Sequence, residues 1–189
     1  PVYYTKDIAT AIIELSDASG LKLLKPSAYD SLRANTSGTG VLIKRALDKQ
    51  VRKIILAIGG SATVDAGAGI LRALGVHFLD KKGVLITDIP RGLDKIHDID
   101  ATPLDRRLMN VELFVLCDVK NKLLGKNGAA HVFGPQKGAS EQDIAVLEKC
   151  LKAFDKTVFN SSGIRISQLP YGGSAGGVAA SLCALTGAH

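Results

Sequence analysis

The chain has 189 residues and a mass of 19.9 kDa, with 46% hydrophobic, 22% charged and 5% aromatic residues. That balance suits one well-buried globular domain and excludes a disordered chain, and no apolar run reaches the roughly 20 residues of a membrane helix. The net charge is +6, but too few aromatic residues are present for a stacking face on single-stranded nucleic acid. Neither nucleic acid nor membrane is therefore an expected partner, and the excess charge reads as a solvated surface that also attracts small anions.

Cys117, Cys150 and Cys183 are odd in number and widely separated, which suggests neither a disulfide framework nor a zinc site and fits a reducing cytoplasm. The first residue is Pro1 and the last run is "CALTGAH"; both ends read as cuts in a longer polypeptide.

From the amino terminus, Ile8, Ala11, Ile12, Leu15 and Ser19 fall at helical spacing, and Gly20 is placed to end that helix in the left-handed region. "LKLLKP" is a loop or weak strand. "NTSGTG" (35–40) precedes a helix through Leu47, and the apolar run after Arg52 predicts a strand at 53–58. A helix from about Ala66 to Leu74 closes at Gly75. "VHFLDKKGVLI" predicts two strands joined by a turn at Asp80–Gly83, and residues 87–105 read as a long surface connection. "VELFVLC" (111–117) is a second strong strand that empties into a Gly-rich loop, 118–139. Ser140 and Asp143 form an N-terminal capping pattern before Ile144, Leu147, Leu151, Phe154 and Val158. A Gly-rich turn at 172–177 leads into a last helix. The alternation predicts one α/β unit over 1–189, a layered α/β/α domain with a mainly parallel sheet, whose ligands gather at the carboxyl ends of the strands.

Three loops carry the chemistry. In "GGSATVDAGAG" (59–69), Gly59 and Gly60 let the backbone approach a ligand, Ser61 and Thr63 add hydroxyl donors, and the following helix offers unpaired N–H groups to an anion. Asp65 does not suit a phosphate contact. It fits a general base on a substrate hydroxyl, a magnesium ligand, or a simple helix cap. In "CDVKNKLLGKNGAAHVFGPQKGAS", Asp118 directly follows a strand, where a carboxylate holds metal or substrate or merely makes an Asx-turn. Asn121 can hydrogen-bond a carboxylate or hydroxyl, and Lys137 either neutralises phosphate or is a solvated surface lysine. His131, in an apolar stretch, reads as structural. The third loop, "PYGGSAGG" (170–177), resembles a nest of backbone amides in which Gly172 and Gly173 face phosphate.

Taken in order, "NTSGTGVLIKRALD", "IGGSATVDAGAGILRALGV", "CDVKNKLLGKNGAAHVFGPQKGAS" and "GGSAGGVAASL" resemble the type I glycerate kinases of bacteria, from about residue 8 to 183. The resemblance implies ATP-dependent phosphorylation of D-glycerate with magnesium, in a cleft between two α/β domains. It implies Asp65 and Lys137 as catalytic groups, Gly59, Gly60, Ser61, Thr63, Asn121, Gly172 and Gly173 around substrate and phosphate, and Asp118 on the metal. The chain departs from that family's pattern at Val64, where Asn is usual, at Ala66, where Gly is usual, and at Lys122, where Pro is usual. The family's amino-terminal and carboxy-terminal segments are absent from these 189 residues, which therefore resemble the central portion of a kinase. A non-catalytic anion-binding or regulatory module derived from such a kinase is the alternative.

Overall fold

A computed structural model describes all of residues 1–189. In chain order its elements are β1 (Val2–Tyr4), β2 (Thr10–Glu14), α1 (Ser16–Ser19), α2 (Ser37–Asp48), β3 (Lys53–Ala57), α3 (Ala68–Ala73), β4 (His77–Leu79), β5 (Asp98–Asp100), β6 (Glu112–Leu116), α4 (Ala129–Phe133), α5 (Glu141–Ser162) and α6 (Val178–Thr186). The main sheet runs β1-β2-β3-β6. Strands β2, β3 and β6 are parallel, and β1 lies antiparallel on the edge. This is the mainly parallel α/β architecture that the alternation predicts.

Register explains which side chains make the core. Ala11, Ile54 and Leu113 stand in one cross-strand row and Ile13 and Leu56 in the next, and all five are buried with Leu42, Ile43, Ala46 and Leu47 of α2. The opposite face carries the row Tyr3, Ile12, Ile55 and Phe114, none of which is fully buried. The helical layer expected on both faces is therefore complete on one face only. On the other side of α2, Gly40 meets α3 so closely that a Cβ there would stand 2.6 Å from the Ala73 Cβ and 2.9 Å from the Ile70 carbonyl oxygen. Gly40→Ala is expected to cost about 1–3 kcal/mol by overpacking, read as a lowered urea midpoint with an unchanged slope.

Several local expectations are corrected. Residues 8–19 are not one helix: Ala11 and Ile13 alternate into the sheet as β2, and only Ser16–Ser19 is helical. The spacings of four, Ile8 to Ile12 and Ala11 to Leu15, fit a helical and an alternating period alike, and five parallel pairings with β3 decide between them. Gly20 is extended rather than left-handed; a Cβ on it would strike the backbone of Ser16. The helix expected from Ala66 begins at Ala68, because Ala66 and Gly67 both take positive φ in the turn before it.

The turn at Asp80–Gly83 forms, with Asp80 donating to Val84 and Gly83 to Asp80, but Leu85 makes only an isolated bridge to Leu79. The lasting partner of β4 is β5. Residues 87–105 are thus no mere surface connection: they supply β5 and bury Ile89, Leu93 and Ile99. Helix α5 packs on this region, with Phe154 edge-to-face on Phe78 at 5.5 Å. Its capping box is as predicted, Ser140 and Asp143 each bonding the other's backbone N–H.

Candidate active site

Because β3 and β6 are parallel neighbours, their carboxyl ends release the loops that follow on the same edge of the sheet. A pocket of about 230 Å³ opens there, lined by Gly59, Gly60, Ser61, Asp118, Lys137 and Ser174, among others. The amides of Gly59, Gly60 and Ser61 donate to no acceptor in the protein. Three successive free N–H groups, with Gly60 at φ +69°, make the concave donor set that anions occupy.

Lys137 forms the wall of this pocket. It is only 2% exposed, and its Nζ donates to Ser61 Oγ at 2.8 Å and to the Thr63 carbonyl at 2.7 Å. Burial lowers its pKa to about 8, and the nearby Asp65 charge works against that shift. Lys137 is thus no solvated surface lysine. Asp118 is the one carboxylate among the lining residues, and its side chain has no hydrogen-bond partner within the protein.

Asp65 is not at the pocket. It is 0% exposed, and its Oδ2 accepts from the Thr36 amide (2.8 Å), the Thr36 hydroxyl (2.8 Å) and the Gly69 amide (3.1 Å), while Oδ1 accepts from the Gly67 amide (3.1 Å). Thr36 Oγ1 in turn accepts from the Ile70 amide at 3.0 Å. One carboxylate thereby caps α3 and clasps the start of α2 to it. Burial is the largest influence on Asp65 and pushes its carboxyl pKa up, with the hydrogen bonds from Thr36, Gly69 and Gly67 pulling it down. Gly69 has to lack a side chain here, since a Cβ would lie 2.5 Å from the Ser37 nitrogen.

Other expected contacts also fall outside the pocket. The Thr63 hydroxyl is buried without a partner, and it is the Thr63 carbonyl that serves Lys137. Asn121 uses its side-chain amide on the Asn127 carbonyl and its own carbonyl on the Gly173 amide. The Gly173 N–H is therefore spent, as is that of Gly172 on the Leu169 carbonyl, so the third loop is no free nest. Both glycines pack closely: a Cβ on Gly173 would strike the Lys122 carbonyl and one on Gly172 the Ile166 carbonyl. Thr36 lies within "NTSGTG", and no local signal ties it to Asp65, 29 positions later. The Ser174 hydroxyl, likewise without a local signal, donates to the Val119 carbonyl at 3.0 Å.

A mainly parallel sheet whose carboxyl edge carries free amides, a buried lysine and one open carboxylate defines an α/β protein with its pocket at the strand ends. Comparison with known proteins gives the particular family. The glycerate kinase family model matches residues 2–189, and the chain belongs to that family. It is 42% identical over 183 residues to a glycerate 2-kinase of Escherichia coli K12, covering 97% of this chain and 48% of that protein. To a glycerate kinase of Bacillus subtilis 168 it is 43% identical over 176 residues, covering 93% and 46%. The crystal structure of a Salmonella typhimurium LT2 protein, named there as a candidate glycerate kinase 2, superposes with a TM-score of 0.96 at 41% identity, over 100% of this chain and 50% of that one. The chain thus spans about half the length of the relatives it matches.

Proposed function

We propose that the chain is the pocket-bearing part of a two-domain glycerate kinase that transfers the γ-phosphoryl group of ATP to a hydroxyl of D-glycerate. The observation that carries this reading is the meeting of free amides 59–61, the Lys137 ammonium and the Asp118 carboxylate in one pocket. Phosphoryl transfer asks a protein chiefly for positioning and charge neutralisation. The amides and Lys137 meet the phosphoryl oxygens, and Ser61, held by Lys137, presents its hydroxyl beside them. Asp118 takes the hydroxyl proton of glycerate. Asp65 holds the turn and two helix starts in place without touching substrate.

No group of three or more His, Cys, Asp or Glu is placed to hold a metal. Magnesium arriving on the nucleotide's phosphates would take its ligands from those oxygens and its own waters, and such an ion would add charge neutralisation there while Asp118 serves the hydroxyl proton. Polypeptide equivalent to the unmatched half of the relatives would close the cleft and exclude water. Val64 gives the non-catalytic alternative no support, because its side chain is fully buried in the core and not in the pocket.

The test is the pH dependence of glycerate-dependent ADP release in the whole kinase that carries this chain. Lys137 loses its proton near pH 8, not near its ordinary value of 10.5, so the cation is present below about 8 and lost above it. Turnover is expected to fall about tenfold per unit as pH rises beyond that point. A rate that stays level to about pH 10 would remove Lys137 from the mechanism. Stability moves the other way: between about 8 and 10.5 the unfolded chain binds more protons, so the fold gains stability with pH across that window.

A further inference from the structure

The contact between Lys137 and Ser61 permits more than anion binding. Lys137 Nζ has two partners of different character. The Thr63 carbonyl at 2.7 Å can only accept, whereas the Ser61 hydroxyl at 2.8 Å can accept or donate. An ammonium donates to both. A neutral amine keeps its bond to the carbonyl and turns its lone pair to the Ser61 O–H, and the hydroxyl becomes the donor. Nucleophile and base then stand at hydrogen-bond distance, with the base oriented by a third group. The Ser61 residue lines the pocket, and the free amides of Gly59 and Gly60 lie beside it to receive developing negative charge.

We propose that Ser61 is a nucleophile with Lys137 as its base, and that it accepts a phosphoryl group from a phosphoanhydride bound in the pocket. In that step the Ser61 Oγ–P bond forms as the bridging P–O bond breaks. The leaving phosphate or nucleoside diphosphate departs with the bonding pair, and the Oγ proton passes to Lys137 Nζ. Nothing is oxidised or reduced. That the phosphoanhydride is ATP rests on the function proposed above; the nucleophile and its base do not.

Two acids lie near Lys137, and one of them acts on its charge. Asp65, on the loop after β3, favours its protonated form, and Asp118, on the loop after β6, lines the same pocket. Burial outweighs Asp65 and brings the neutral amine into reach at mildly alkaline pH. The same proton thus separates two behaviours: transfer to glycerate needs the ammonium, and attack by Ser61 needs the amine.

An alkyl fluorophosphonate tests the pair without nucleotide or glycerate, since attack by Oγ expels fluoride from phosphorus. Peptide mass spectrometry of the treated 189-residue chain is expected to find the label on Ser61. Its rate should climb about tenfold per pH unit and level off above about 8. Lys137→Met should slow labelling by roughly 100-fold or more, and Lys137→Arg should not restore it, because a guanidinium stays protonated. An unlabelled Ser61 in folded wild-type chain, or a wild-type rate independent of pH, overturns the inference without any variant having to fold. Labelling of Lys137→Met at the wild-type rate also overturns it. A second arm incubates the whole kinase with ATP and magnesium, where phosphoserine at Ser61 is expected; its absence overturns the phosphoanhydride step. A kinase that turns over glycerate with Ser61 unlabelled defeats this inference alone, and a labelled Ser61 with no glycerate turnover defeats only the proposed function.

Discussion

Asp118→Asn is expected to lower kcat of the whole kinase by about 10²–10⁴-fold, the range for a lost general base, while nucleotide binding persists. The two acids 65 and 118 are both candidates in the sequence, and burial separates them. Asp118 is exposed and lines the pocket, so a substrate hydroxyl can reach it. Asp65 has no exposed surface, and four donors converge on its two oxygens. A substituted amide at 118 keeps the shape and loses the acceptor charge, so the loss should lie in kcat rather than in KM for ATP. A variant with near-normal kcat and a raised KM for glycerate would make Asp118 a binding residue and return the proton to another group.

Asp65→Ala is expected to destabilise the 189-residue chain by about 3–5 kcal/mol, measured as the drop in unfolding free energy in urea. Removing the carboxylate leaves the amides of Thr36, Gly67 and Gly69 without that acceptor in a buried place, and also frees the Thr36 hydroxyl. Each orphaned buried donor costs about 1–3 kcal/mol, although partial relaxation keeps the sum below full additivity. Asp65→Asn keeps one acceptor oxygen and should cost less, about 1–3 kcal/mol on the same scale. A change below about 1 kcal/mol for the Ala variant would mean that the clasp between the two helix starts adds little to the fold.

Legibility differed from element to element for physical reasons. Strands β3 and β6 were readable because each is a short apolar run entered from charged residues and left through a turn, the pattern of a buried parallel strand. Helix α5 was readable because its cap and its apolar stripe agree. The region 8–19 misled because its apolar residues satisfy two periods, and only pairing with β3 chooses between them. The segment 87–105 misled because polar loop composition hid four apolar anchors, Ile89, Leu93, Ile96 and Ile99, whose burial depends on the distant helix α5.

By itself the sequence determined the α/β alternation, the two strands whose carboxyl ends border the pocket, and the Gly-rich turns that carry residues 59–61, 118 and 137. These are local properties: strand propensity, turn residues and glycine freedom are written within a few positions of each other. Only the tertiary structure decided what each polar group does. Lys137 reaches Ser61 across 76 positions and Asp65 reaches Thr36 across 29. Burial and free donors are properties of such distant neighbours. Dehydration sets the proton affinity of Lys137 and full coordination keeps Asp65 buried away from the pocket, and both arise only when the chain closes around them.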